Sequence, residues 1–142
     1  MRGFTLLEVI LTIAITAIIA TLTPPVYEKV QLKVGFDSTV ISFVSSLKRA
    51  QKLSQSGKLD STWGVKIENT KITIFKGNSF ETRDITYDEE SSILSNIIAT
   101  GDTEIVFSKL YGYPTYETKT NISDNWSNEK SITINNRGLI KY

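Results

Sequence analysis

Glu8 is the residue with the clearest chemical role, because it is the one charged side chain in the apolar run at residues 4–23. A charged residue at the centre of a membrane helix costs about 2.5–3.5 kcal/mol on insertion scales. Two explanations stay open. Glu8 could lie one turn into a helix and reach the headgroups, or a cation could neutralise it at membrane depth. The positive end of the helix dipole favours an anion in the first turns, and an amine at Phe4 would lie about one turn away.

The chain lacks two residue types on which many enzyme sites depend. It contains no cysteine and no histidine, which excludes disulfides, thiolate metal sites and imidazole acid–base catalysis. No G-x-S-x-G, H-E-x-x-H or Walker sequence is present. The acidic run Asp88-Glu89-Glu90 lacks the D-x-D-x-D spacing of a calcium loop and is interpreted as solvated charge. We therefore predict a non-enzyme without a metal or cofactor.

The overall charge gives no reason to expect nucleic acid as the main ligand. Lys and Arg total 16 against 15 Asp and Glu, a net charge of +1, whereas nucleic-acid-binding domains are usually strongly basic. Two short basic stretches stand out: Lys48, Arg49, Lys52 and Lys58, and then Arg137 with Lys141. Aromatic residues do not interleave with the first stretch. An ordinary solvated helix face explains it better, so nucleic acid is a partner that the sequence does not favour.

The apolar run at residues 4–23 is predicted to form a helix. Its 20 residues contain no Gly or Pro and would span about 30 Å, the thickness of a bilayer's hydrocarbon core. A threonine hydroxyl in such a helix can bond to the carbonyl one turn back. A membrane span is the first interpretation. A buried soluble helix, a secretory signal peptide and a plain single-pass anchor remain alternatives.

Pro24 and Pro25 follow the run and predict a break or kink, or simply the end of the span at the interface. An amphipathic helix is predicted over 26–55, with Gly57 as its C′ residue and Gly35 as a site for a bend. Its apolar positions recur every three or four residues: Phe36, Val40, Phe43, Leu47 and Ala50, with Val44 and Leu53 beside them.

Beyond Ser61 the pattern changes to strands and turns. Turns are predicted at Asn69-Thr70, Gly77-Asn78 and Asn135 to Gly138. Alternation predicts strands over 63–68, 71–75, 84–87, 103–107, 116–119, 131–134 and 139–142. The predicted fold is α+β, with a long N-terminal helix, half membrane span and half amphipathic, packed on a C-terminal antiparallel β-sheet.

The sequence Gly3-Phe4-Thr5-Leu6-Leu7-Glu8 resembles the processing motif of type IV prepilins and type II secretion pseudopilins. The resemblance implies that a membrane-embedded aspartyl prepilin peptidase cuts after Gly3 and methylates the new N-terminus at Phe4. It implies that Glu8 directs assembly, and that Pro25 corresponds to a helix-weakening proline near the membrane exit. In the family the glycine lies on the cytoplasmic side.

More loosely, the paired strands and closing hairpin resemble minor pseudopilins of the H type. The lack of cysteine also favours a pseudopilin or a minor subunit. The implied organisation is a leader at 1–3, an assembly helix at 4–23 and an exported domain at 24–142. The implied function is a structural subunit of a pilus or pseudopilus, with other subunits, an inner-membrane assembly platform and lipid as partners. The precursor would sit in the inner membrane and later join a periplasmic or surface filament. A DNA-binding minor pilin is the alternative.

Overall fold

A computed structural model of the chain describes residues 3–142, apart from residues 22–29. One helix, α1 (Leu6–Gln55), precedes eight strands. The chain divides into two compact units, the first ending at Val34 and the second running from Gly35 to Tyr142. The break predicted at Pro24 and Pro25 lies outside the described residues.

In the second unit, α1 buries the apolar stripe that the periodicity predicts. Phe36, Val40, Phe43, Leu47 and Ala50 are all buried, because positions three and four apart share one face of a helix. The helix ends at Gln55. Two residues later Gly57 adopts a left-handed φ of 63°, and its N–H donates to the Ser54 carbonyl at 3.1 Å. The predicted core face and C′ glycine are confirmed.

The strands form two antiparallel four-stranded sheets, ordered β3-β2-β1-β5 and β4-β6-β7-β8. Two 3-10 helices, Lys58–Asp60 and Ile85–Tyr87, lie between elements. The strands are β1 (Trp63–Ile67), β2 (Lys71–Lys76), β3 (Glu89–Ser92), β4 (Ile97–Gly101), β5 (Glu104–Phe107), β6 (Thr118–Asp124), β7 (Glu129–Ile134) and β8 (Ile140–Lys141).

The predicted α+β class is confirmed, but the single predicted sheet is in fact two. Both sheets contribute to one core with the second-unit part of α1, including Trp63 and Phe107 from the first sheet and Ile122 and Ile132 from the second. Ser54 joins the helix to the first sheet: its Oγ accepts from the Trp63 N–H at 2.9 Å and donates to the Phe107 carbonyl at 3.1 Å. The pairing of a buried hydroxyl in this way avoids the cost of an unsatisfied polar group.

The strand predicted at 84–87 is wrong. Ile85–Tyr87 is a 3-10 helix, and the strand begins at Glu89. The Asp84 side chain accepts a hydrogen bond from the Thr86 N–H at 3.2 Å. Such a local side-chain bond offers the backbone an alternative to a strand ladder, and it accounts for the turn.

Two further differences concern the second sheet. β4 was not predicted, because it is an edge strand whose residues are mostly exposed and therefore show weak alternation. The strand predicted at 116–119 instead forms β6, Thr118–Asp124, in which buried residues alternate with exposed or half-buried ones along its length. Its polar inward residues, such as Thr118 and Thr120, hide that alternation from a hydropathy pattern.

Gly35 has a packing role inside α1. A Cβ at this position would collide with the Cδ1 atom of Leu94. The absence of a side chain therefore lets the segment between β3 and β4 approach the helix closely, at the usual entropic cost of a helical glycine.

Asp124 closes the β6–β7 turn and provides a pH-dependent prediction. Burial raises the pKa of Asp124, but hydrogen bonds from Asn128 and Trp126 outweigh burial and hold that pKa below its ordinary 3.8. A carboxyl with a depressed folded pKa stabilises the fold above its unfolded pKa, and this stabilisation is lost as the pH falls through the lower folded value. We expect Asp124→Asn to destabilise the protein by about 1 kcal/mol at neutral pH, since charge-assisted hydrogen bonds become neutral ones.

The difference in free energy of unfolding between wild type and Asp124→Asn should shrink as the pH is lowered below 3.8. Urea unfolding measured at a series of pH values checks this, because the variant carries all the other carboxyl groups and so cancels their titration. If this difference stays the same down to strongly acidic pH, the ionised Asp124 carboxylate does not stabilise the turn as predicted.

Candidate processing and assembly site

Thr5 caps the N-terminus of α1. The Glu8 N–H donates to Thr5 Oγ1 at 3.3 Å, and the Val9 N–H donates to the Thr5 carbonyl at 3.2 Å. With the helix beginning at Leu6, Thr5 is the N-cap and Glu8 is the third helical residue, the T-x-x-E spacing of a capping box. This capping signal was not predicted from the sequence, although its spacing is visible there.

The cap gives Glu8 a local role that competes with its predicted assembly role. A carboxylate in the first turn interacts favourably with the helix dipole, typically by 0.3–1 kcal/mol. Glutamine also fits the third position of a capping box but carries no charge. The two roles of Glu8 are therefore separable by experiment, and its assembly role stays a prediction.

The described structure leaves space for a side chain at Gly3. A Cβ built on Gly3 has nothing within 4 Å, and the residue is exposed just ahead of α1. The described structure therefore gives no internal reason for glycine at this position.

Behind the cap, the described helix surface is apolar on every side. Residues 3–21 are all exposed, including Phe4, Leu6 and Leu7, which are at least 75% exposed. Thr12, Thr16 and Thr21 donate their hydroxyls to carbonyls three or four residues back, as the sequence analysis predicted for threonines here. The helix thus satisfies these polar groups internally and leaves its hydrocarbon uncovered.

In the part of the chain that the structure describes, none of the helices has the length and hydropathy that a membrane span requires.

The acidic run at 88–90 keeps Glu89 and Glu90 exposed to solvent, by 40% and 50%, in keeping with the predicted solvated charge, but its carboxylates are also paired. Each carboxylate pairs with a different cation: Asp88 with Arg83 at 2.8 Å, Glu89 with Arg49 at 2.5 Å, and Glu90 with Lys71 at 2.7 Å. Because the three partners come from three segments of the chain, the carboxylates do not converge. The described residues contain no group of three or more His, Cys, Asp or Glu side chains that could hold a metal ion.

Two of the four residues in the basic stretch at 48–58 are engaged by other side chains. Arg49 donates through Nε and Nη2 to both oxygens of Glu89, and this hydrogen bond, with the charge of Arg49, lowers the pKa of Glu89. Lys58 Nζ lies over the ring of Trp63, 5.7 Å from its centroid. Lys48 and Lys52 have no carboxylate within ion-pair distance in the described structure. The four basic residues therefore do not form one free patch.

Comparison with known proteins identifies the N-terminal motif. Residues 1–23 match the family described as the prokaryotic N-terminal methylation motif, which is the signature of type IV pilins and pseudopilins. The motif links the chain to prepilin cleavage, to pilus or pseudopilus assembly and to membrane association. It fits an inner-membrane precursor that becomes a filament component. No curated protein and no solved structure matches the chain.

Proposed function

We propose that this chain is a structural, non-enzymatic subunit of a type IV pilus or type II secretion pseudopilus, built into the filament through α1. The observation that carries the proposal is the exposed apolar helix surface with one carboxylate in its first turn, within the residues that match the methylation motif. Apolar surface gains about 25 cal/mol for each Å² removed from water. A helix exposed on all sides therefore favours being covered, first by lipid and then by the helices of other subunits.

The proposed register of assembly depends on one charge pair. Prepilin peptidase would cut after Gly3 and methylate Phe4, which leaves a cationic amine beside the Thr5 cap. In a bundle of apolar helices, the Glu8 carboxylate of one subunit would pair with the Phe4 amine of its neighbour. Leaving a buried charge unpaired costs about 3–5 kcal/mol, so an incoming subunit is favoured in the register that pairs them.

The proposed topology follows from the same helix. In the precursor, residues 4–23 would cross the inner membrane once, with the leader at 1–3 in the cytoplasm and residues 24–142 outside it. Lipid, prepilin peptidase, the inner-membrane assembly platform and other pilin subunits are the partners. The mature subunit would then belong to a periplasmic or cell-surface filament.

Intact-mass analysis of the protein from its native membrane tests the proposal. We expect a chain that lacks residues 1–3 and carries one methyl group on Phe4. A chain that retains Met1, or loses only Met1, would instead indicate an anchored module that never polymerises.

Gly3→Val is expected to keep residues 1–3 attached, because only the peptidase requires a small residue there. Since a Cβ at Gly3 meets nothing within 4 Å, the melting temperature of the variant should equal that of wild type. Thr12→Val, on the exposed surface of the same helix, is the matched control and should be processed normally. Normal cleavage of Gly3→Val would contradict the assigned cleavage position.

The alternative function, a DNA-binding minor pilin, was linked to the stretch Lys48, Arg49, Lys52 and Lys58. Two of these cations are already engaged, Arg49 by Glu89 and Lys58 by the ring of Trp63. The stretch therefore offers nucleic acid fewer unengaged cations than its sequence suggests.

A further inference from the structure

A small cavity lies beside the free edge of the first sheet, in the second unit. β5 is the edge strand there, and the segment at 114–118 follows it. The two stretches meet at both ends. Phe107 forms an antiparallel bridge with Pro114, and at the other end the Asp102 N–H donates to the Lys119 carbonyl at 3.0 Å. Between these contacts the stretches separate and leave a cavity of about 320 Å³.

Thr118 gives this cavity a polar group that the fold does not use. Thr118 lines the cavity and is 5% exposed, yet its Oγ1 has no hydrogen-bond partner in the described structure. Most buried hydroxyls are paired, because an unpaired one is costly. The next inward threonine of β6 is paired, since Thr120 Oγ1 donates to the Asp102 carbonyl at 2.5 Å. The Thr118 hydroxyl is therefore available to a polar ligand in the cavity.

Glu104 and Asn78 add two polar groups to the cavity lining, and contacts within the fold position both. Glu104 Oε1 accepts from the Phe80 N–H at 2.9 Å, and its Oε2 lies 3.7 Å from Lys66 Nζ. Asn78 Oδ1 accepts from the Thr62 hydroxyl at 2.8 Å, which leaves its Nδ2 group as a donor. The lining thus contains a carboxylate acceptor, an amide donor and a hydroxyl that can do both.

The shape and charge of the cavity limit what it can bind. The contacts at its two ends exclude an extended peptide that adds to β5 as a further strand. Its volume is at the lower end of the range for small-molecule sites, about 300–1,000 Å³. Glu104 repels an anion. A cation gains little, because Lys66 already neutralises Glu104 and no second carboxylate is among the described residues that line the cavity.

We propose that this cavity binds one residue of an uncharged saccharide. Sugar hydroxyls both donate and accept hydrogen bonds, so they match all three kinds of polar group in the lining. Tyr116 also lines the cavity and is 55% exposed, and aromatic side chains commonly supply the apolar contact in small-molecule sites. The proposal does not depend on filament assembly through α1, and either one can fail without the other.

The test measures sugar binding to the full chain in nanodiscs of zwitterionic lipid, by saturation-transfer-difference NMR. The probes are the methyl glycosides of glucose, galactose, mannose and N-acetylglucosamine. Methyl glucuronide, which is an anion, and an uncharged capped tripeptide are the comparison probes. We expect at least one neutral glycoside to bind and both comparison probes to fail. The binding should be weak, because a ligand of one ring makes few contacts.

Thr118→Val removes the hydroxyl and keeps nearly the same side-chain shape. It should weaken binding of the neutral glycoside about fivefold, the worth of one average hydrogen bond. It should not lower the melting temperature, since the hydroxyl has no partner within the described fold. Thr73→Val is the matched control. Thr73 is also fully buried with an unpaired Oγ1, but it does not line this cavity, so the variant should bind like wild type.

Tyr116→Ala is a second variant, at a side chain that is 55% exposed and therefore tolerant of truncation. It should also weaken binding, and full affinity in this variant would count against the site. Failure of all four neutral glycosides to bind would overturn the proposal, as would stronger binding of the glucuronide or the tripeptide. Equal affinities of Thr118→Val and Thr73→Val would do the same. Melting temperatures of all variants establish that a loss of binding is not a loss of fold.

Discussion

Replacing Glu8 with valine is expected to leave the protein in the membrane but to abolish its incorporation into filaments. Valine makes the helix more apolar, so insertion becomes easier rather than harder. Without the carboxylate, the amine of a neighbouring subunit stays unpaired in the helix bundle, at a cost of about 3–5 kcal/mol. That cost corresponds to a loss of at least about a hundredfold in assembly equilibrium. Membrane fractionation and immunoblotting of sheared or purified filaments measure the two outcomes separately.

Glu8→Gln separates the assembly role from the local cap. Glutamine keeps the T-x-x-E/Q spacing with Thr5, and the backbone N–H of residue 8 can still donate to Thr5 Oγ1, but the substitution removes the charge. If charge pairing drives assembly, Glu8→Gln should fail to join filaments, as Glu8→Val does. If Glu8 serves only as part of the cap, Glu8→Gln should assemble normally, and the proposed electrostatic register would be wrong.

Trp63→Ala is expected to cause the largest loss of stability, roughly 3–5 kcal/mol, which is typical when a buried tryptophan is truncated. Trp63 is 1% exposed, and its Nε1 donates to the Lys58 carbonyl at 3.1 Å. Removing the ring would open a cavity between α1 and the first sheet and would leave that carbonyl without its donor. Urea unfolding of the full chain in a non-ionic detergent, followed by tyrosine near-ultraviolet circular dichroism, measures the change.

The second tryptophan provides a matched control. Trp126 lies in the β6–β7 turn and is 54% exposed, so Trp126→Ala should change the free energy of unfolding by no more than about 0.5 kcal/mol. Similar losses for both variants would show that the core is not centred on Trp63.

Elements coded by short-range signals were predictable from the sequence. The stripe from Phe36 to Ala50 repeats every three or four residues, and the β1–β2 hairpin alternates on either side of Asn69-Thr70. In both cases neighbours along the chain determine the local structure. Glu8 stood out for the same reason, since one charge in an apolar run needs no tertiary information to be noticed. The strand at 84–87 was mispredicted because a single side-chain bond from Asp84 outweighed the propensity of Ile85 and Tyr87 for strands.

The sequence by itself determined the α+β class, the methylation motif and the position of the helical core face, because periodicity, capping and turn residues act within a few positions. Only the tertiary structure decided that the strands form two sheets, that Glu89 neutralises Arg49 from 40 positions away, and that Tyr142 lies over Lys48. Pairings of this kind depend on which elements pack together. That is set by the whole core, and nothing in the local sequence at either partner specifies it.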